Sequence, residues 1–182
     1  MILDINYVHK DYVKDILPYI RNAIFIDTSV MKIFINGFIT TRFSKKKDEE
    51  FEKLLAFFDI IKVSDKWNKF YVTPHVLAEI CRHLNNDYRK HHDYKEKVEE
   101  ILPILKELQE IVITKEKIIG CVDLKNPILE IGDISIFLAT EEFIDSSKKV
   151  AILVKDERFN EEYEHNLNVM IMDYNKIILN RM

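Results

Sequence analysis

The run Val150-Ala151-Ile152-Leu153-Val154 contains no polar side chain. A strand with one face in water alternates apolar and polar residues, so this uninterrupted run predicts a strand covered on both faces. Sheets covered in that way are built mainly from parallel strands, because the helices connecting such strands are also the layers that cover them.

The rest of the chain alternates as such a sheet requires. Ala23, Ile24, Phe25 and Ile26 form a short β-favouring run, and Asp27, Thr28 and Ser29 follow where a helix can be capped. Residues 41–50 are polar and read as a loop; Phe51, Leu54, Leu55 and Phe58 then recur at helical spacing. Phe70 to Val72 read as a strand, and Thr73-Pro74 as a helix start with threonine as N-cap and proline in the first turn. Val76, Leu77, Ile80 and Leu84 supply that helix's apolar stripe. Residues 94–110 predict a further helix, 111–114 a strand, 127–145 an apolar helix, and 168–172 a last strand before a terminal helix. The predicted fold is α/β with three layers: a mostly parallel sheet of four to five strands with helices on both faces. Val8, Tyr12, Ile16 and Ile20 lie four apart, which predicts a helical extension over residues 1–22, kinked at Pro18, ahead of a single domain at 23–182.

Composition narrows the functions available. A chain of 182 residues with 47% apolar content can bury one substantial core, and no apolar run approaches the roughly 20 residues that cross a bilayer. Asp4, His9, Lys10 and Asp11 interrupt any signal-peptide core, so a soluble cytoplasmic protein with no membrane partner is expected. Cys81 and Cys121 are the only cysteines and lack metal-site spacing. The three glycines, Gly37, Gly120 and Gly132, cannot write a dinucleotide fingerprint or a phosphate-cradling loop. Net charge is −4, so nucleic acid would have to be held by local patches.

Four acids stand out by position. Asp27 and Asp156 follow apolar strand candidates, where ligand sites form in open parallel sheets. Glu79 flanks the stripe of Val76, Leu77 and Ile80, and Asp133 lies one turn before Phe137 near the start of an apolar helix. Each has a structural explanation when taken singly: Asp27 and Asp133 as N-caps, Asp156 as a turn residue, Glu79 as a surface acid beside Arg82 or His83. Their joint placement, two at strand ends and two on helices, favours a shared site.

These segments resemble the PIN-domain family. Phe25-Ile26-Asp27-Thr28-Ser29-Val30 is similar to its opening strand and helix start, and Thr73 to Ile80, with Glu79, to its second acidic segment. Gly132 to Ala139, with Asp133, resembles the third, and 150–159, with Asp156 and Phe159, the last; the match runs in order over roughly residues 23–172. The resemblance implies a nuclease dependent on Mg2+ or Mn2+, usually a ribonuclease, of the kind that serves as the toxin of a toxin–antitoxin pair or processes RNA. It implies Asp27, Glu79, Asp133 and Asp156 as catalytic, metal-holding residues, and RNA, an antitoxin protein or a second copy of the chain as partners. The chain departs from the family pattern at Val154, where a serine or threonine is usual; Ser29 and Glu157 are the supporting residues considered beside the four acids.

The chemistry agrees with that donor set. Phosphodiester hydrolysis needs an activated water and neutralisation of charge on the phosphorane and leaving oxygen, and hard divalent cations held by carboxylates serve both needs. Two alternatives compete: a noncatalytic PIN-like module that binds RNA or protein, and a phosphotransferase with its nucleophilic aspartate after a strand. The second needs another aspartate where the chain has Ser29. His91, His92 and Asp93 read as a solvated turn, Lys45 to Lys47, Lys148 and Lys149 as solvated faces, and Trp67 and Tyr71 as core.

Overall fold

A computed structural model describes residues 10–121, 130–155 and 166–175. Its strands are β1 (Ile24–Ile26), β2 (Phe70–Val72), β3 (Gln109–Glu110), β4 (Val150–Val154) and β5 (Val169–Asp173), joined in the order β3-β2-β1-β4-β5. All four pairings are parallel. Around the sheet lie α1 (Lys10–Ile20), α2 (Thr28–Ser44), α3 (Glu49–Ile60), α4 (Pro74–Tyr88), α5 (Tyr94–Glu107), α6 (Lys115–Cys121) and α7 (Ile131–Asp145). The expected α/β fold with helices on both faces of the sheet is what the chain adopts.

The pleat distributes side chains to the two faces. Phe25 and Tyr71 are register partners and meet Phe143 of α7, with ring centroids 5.6 Å and 5.3 Å from it. Phe70, one residue along β2, turns the other way and packs on Phe58 of α3 at 5.1 Å and on Trp67 at 5.5 Å. β4 is buried along its whole length, as its composition requires.

The strand order creates one reversal. β2 and β3 step outward from β1 on one side, and β4 returns to pair with β1 on the other. The carboxyl ends of β1 and β4 therefore border a topological switch point, where crevices open in parallel sheets.

Several elements depart from the sequence expectations. Helix α2 runs on to Ser44, beyond the predicted polar boundary, and ends at Lys45 in the left-handed conformation with φ 53°. Burial extends its length: Ile39 is in the core and Phe43 packs against it. The third strand is Gln109–Glu110, not 111–114, because β2 ends at Val72, where Thr73 caps α4, and only Tyr71 and Val72 remain to pair. The Ile111 amide closes the ladder on the Val72 carbonyl at 3.0 Å. Helix α6 was not foreseen. The chain enters α7 at Ile131; residues 122–129 lie outside the described set.

The N-terminal helix, described from Lys10, contains Pro18 without breaking. Ile16 and Ile20 are buried against the sheet's β4 and β5 side, and the Tyr19 hydroxyl donates to the Leu167 carbonyl at 3.0 Å. Val8 lies outside the described residues. Among those residues no helix is long and apolar enough to cross a membrane.

The turn after α4 holds a buried charge. Lys97 is 6% exposed; its ammonium lies 2.8 Å from Asp93, 2.9 Å from His91 Nδ1, and over the rings of Phe43 and Tyr88. The pair with Lys97 holds the Asp93 carboxyl below its ordinary range. His91 and Asp93 thus lie in a turn, as expected, but serve Lys97 instead of solvent alone.

Candidate functional site

The Asp27 amide donates to the Leu153 carbonyl of β4 at 3.1 Å, so the residue is the last rung between β1 and β4 as well as the first cap of α2. Its extended backbone, φ −83° and ψ 157°, turns the carboxylate over the helix N-terminus, where Oδ2 accepts from the Ser29 amide at 3.2 Å and from the Ser29 hydroxyl. Ser29 Oγ in turn accepts from the Lys155 amide at 3.3 Å. One hydroxyl thereby ties the start of α2 to the residue after β4 across the switch point.

Glu79 arrives from α4. That helix is aimed by its own start: Thr73 caps the Val76 amide, and Pro74 occupies the first turn. The Thr73 hydroxyl lies 2.6 Å from that of Ser135, which donates to the Gly132 carbonyl at 2.6 Å. These buried hydroxyls lock the beginnings of α4 and α7 together. Two turns into α4, Glu79 Oε2 accepts from Thr28 Oγ1 at 2.7 Å, and its Oε1 lies 3.2 Å from where a Cβ on Gly132 would sit. A side chain at Gly132 would press on this carboxylate, which would have to shift by a few tenths of an ångström.

Asp133 is the third residue of α7 and 8% exposed. Its Oδ2 accepts from the Glu130 amide at 3.1 Å, reciprocating the Glu130 cap in a capping box. The N-cap alternative for this acid therefore falls to Glu130, with Asp133 as its partner.

Asp27, Glu79 and Asp133 line one cleft of about 270 Å3 with Thr28, Ser29, Lys32, Arg82, His83, Glu130 and Gly132. The structure brings together three of the four predicted acids. The fourth, Asp156, lies outside the described residues, as do Glu157 and Phe159. Val154 is fully buried in β4 and does not line the cleft; the hydroxyls found there belong to Thr28 and Ser29. Burial pushes the Asp27 carboxyl above its ordinary range; the hydrogen bonds from Ser29 and Thr28 oppose this, and the nearby charge of Glu79 adds to it. Among the described residues no three His, Cys, Asp or Glu side chains form a group that could by itself hold a metal ion.

Of the basic residues considered from sequence, Arg82 lines the cleft, whereas Lys148 and Lys149 lie over the rings of Phe143 and Tyr19. His83 also lines it. Lys32, Thr28 and Glu130 were not singled out for the site. Lys32, one turn after Thr28 on a helix already predicted, carried a sequence signal in its spacing; the reach of Thr28 to Glu79 did not, since it joins residues 51 apart.

No family profile, curated protein or solved structure matches the chain.

Proposed function

We propose that the protein is a divalent-metal-dependent ribonuclease of PIN-like design, hydrolysing phosphodiester bonds of single-stranded or loop RNA. One observation carries the reading: acids from three separate elements, Asp27 after β1, Glu79 two turns into α4 and Asp133 at the start of α7, line one cleft beside the switch point of a parallel sheet.

The donor set suits the cation. Carboxylate oxygens are hard ligands of the kind Mg2+ and Mn2+ take while retaining several waters, and carboxylates crowded in a partly dry cleft are stabilised by a neutralising charge. Asp27, Glu79 and Asp133, which make no metal-holding group by themselves, would hold it together with Asp156. When bound, the cation supplies an activated water and charge neutralisation for in-line hydrolysis.

The remaining residues have supporting work in this reading. Ser29 and Thr28 orient Asp27 and Glu79 by their hydroxyls. Arg82 and Lys32 contribute positive charge at the cleft rim for a phosphodiester, which the chain's net charge of −4 does not supply.

The test is cleavage of a mixed pool of single-stranded RNA by purified protein with Mg2+ or Mn2+, stopped by chelator and abolished in Glu79→Gln. An intact RNA pool with either metal would refute the enzyme and leave a PIN-like binding module.

A further inference from the structure

The cleft holding the acids does not end at Ser29. Ser29 and Lys32 also line a second cleft of about 360 Å3, bounded by Ile33, Asn36, Asp48, Glu50 and Lys155. The two clefts adjoin along α2. Ser29, Lys32 and Asn36 stand at i, i+3 and i+7, so they form one stripe about 10 Å long on the helix surface.

The charged groups along this stripe differ in how firmly they are engaged. Lys155 lies 3.0 Å from Glu50, and the Asp48 carboxylate caps α3 by accepting from the Phe51 amide at 3.0 Å. The Tyr88 hydroxyl donates to Asn36 Oδ1 at 2.6 Å, which orients that amide with its NH2 as the other polar end. Lys32, at the centre, lies 3.9 Å from the Asp87 carboxylate, with side chains 41% and 37% exposed. A long, solvated pair of this kind contributes little and gives way readily to a better anion. Lys32 is thus the cation placed at the junction of both clefts and held by the weakest bond.

We propose that Lys32 exchanges Asp87 for a non-bridging oxygen of the phosphodiester next to the one being cut. A single RNA strand then lies along α2, with the scissile phosphate at Asp27 and the neighbouring nucleoside in the cleft of Asn36, Asp48 and Glu50. A strand fits better than a mononucleotide because the stripe spans both clefts. This inference rests on the ribonuclease reading.

The experiment compares the full chain with Lys32→Ala, Lys32→Arg and Asp87→Asn. Binding of a labelled single-stranded RNA is measured with Ca2+ replacing Mg2+ over a range of salt, and cleavage with Mg2+. Lys32→Ala should weaken binding about tenfold and lower the salt slope by about 0.7, the loss of one phosphate contact. Its KM should rise with kcat little changed, Lys32→Arg should restore most of the affinity, and Asp87→Asn should tighten binding. Parent-like binding and KM in Lys32→Ala, with the parent cleaving RNA, would overturn the Lys32 assignment and leave the nuclease standing. Lys32-dependent binding without cleavage by the parent would overturn the nuclease and, with it, the register to a scissile phosphate, leaving Lys32 as an RNA contact of a binding module. A parent that neither binds nor cleaves would overturn both. Lys32 is half-buried, so the melting temperature of each variant is measured beside the parent's to separate a folding defect from lost binding.

Discussion

Asp27 performs two duties that pull on its carboxyl in opposite directions. As the cap of α2 it accepts hydrogen bonds that favour the ionised form, while burial and the charge of Glu79 favour the protonated one. Burial dominates, so the folded carboxyl binds its proton more tightly than the unfolded one. Stability from this group is therefore present below the unfolded pKa of 3.8 and is lost as pH rises through the higher folded value. Asn caps a helix about as well as Asp. In chelator at neutral pH, Asp27→Asn should melt no lower than the parent, and the difference between them should shift in the variant's favour as pH rises from below 3.8. Added Mg2+ should raise the parent's melting temperature more than the variant's. Thermal melts across pH check this; destabilisation of metal-free Asp27→Asn by more than roughly 2 kcal/mol would mean that the charge itself is structural.

At the scale of elements, α2 is the piece on which the site depends, since it carries Asp27 at its cap and Thr28, Ser29 and Lys32 in its first turns. Its opposite side is fixed by α3. A Cβ on Gly37 would lie 2.1 Å from the Phe51 Cβ, a separation that allows no side chain without moving one helix. Alanine is ordinarily the better helix former by about 1 kcal/mol. Here the contact outweighs propensity, and Gly37→Ala should destabilise the protein by about 1 to 3 kcal/mol, the usual cost of overpacking. Denaturant unfolding would measure it, and a neutral or stabilising result would show that α2 and α3 can separate cheaply. Gly37 appeared in the sequence only as a glycine too isolated to form a nucleotide-binding loop; the demand for it arises from helix α3 and was invisible locally.

For the whole molecule, the N-terminal helix is part of the covering of the sheet. Ile16 is fully buried and Ile20 is 5% exposed, although α1 precedes the first strand and, among the described residues, none of its side chains lines the cleft of Asp27, Glu79 and Asp133. Ile16→Ala should cost about 2 to 5 kcal/mol while leaving Mg2+ affinity of the folded protein unchanged, checked by unfolding and by metal titration. Loss of metal affinity in a folded variant would tie α1 to the site. Local pattern alone determined the parallel sheet, since an apolar run such as Val150–Val154 tolerates only a doubly covered strand, and it also determined the starts of α2 and α4, because Asp27 and Thr73-Pro74 act on amides within a few residues of themselves. The short third strand, the full length of α2 and the burial of Lys97 depended on partners far away in sequence. So did the cleft. That Asp27, Glu79 and Asp133 line a single cavity follows from the strand order and from the Thr73–Ser135 and Thr28–Glu79 bonds, which join residues 62 and 51 apart, and contacts at such separations are decided only when the sheet closes and the helices pack on it.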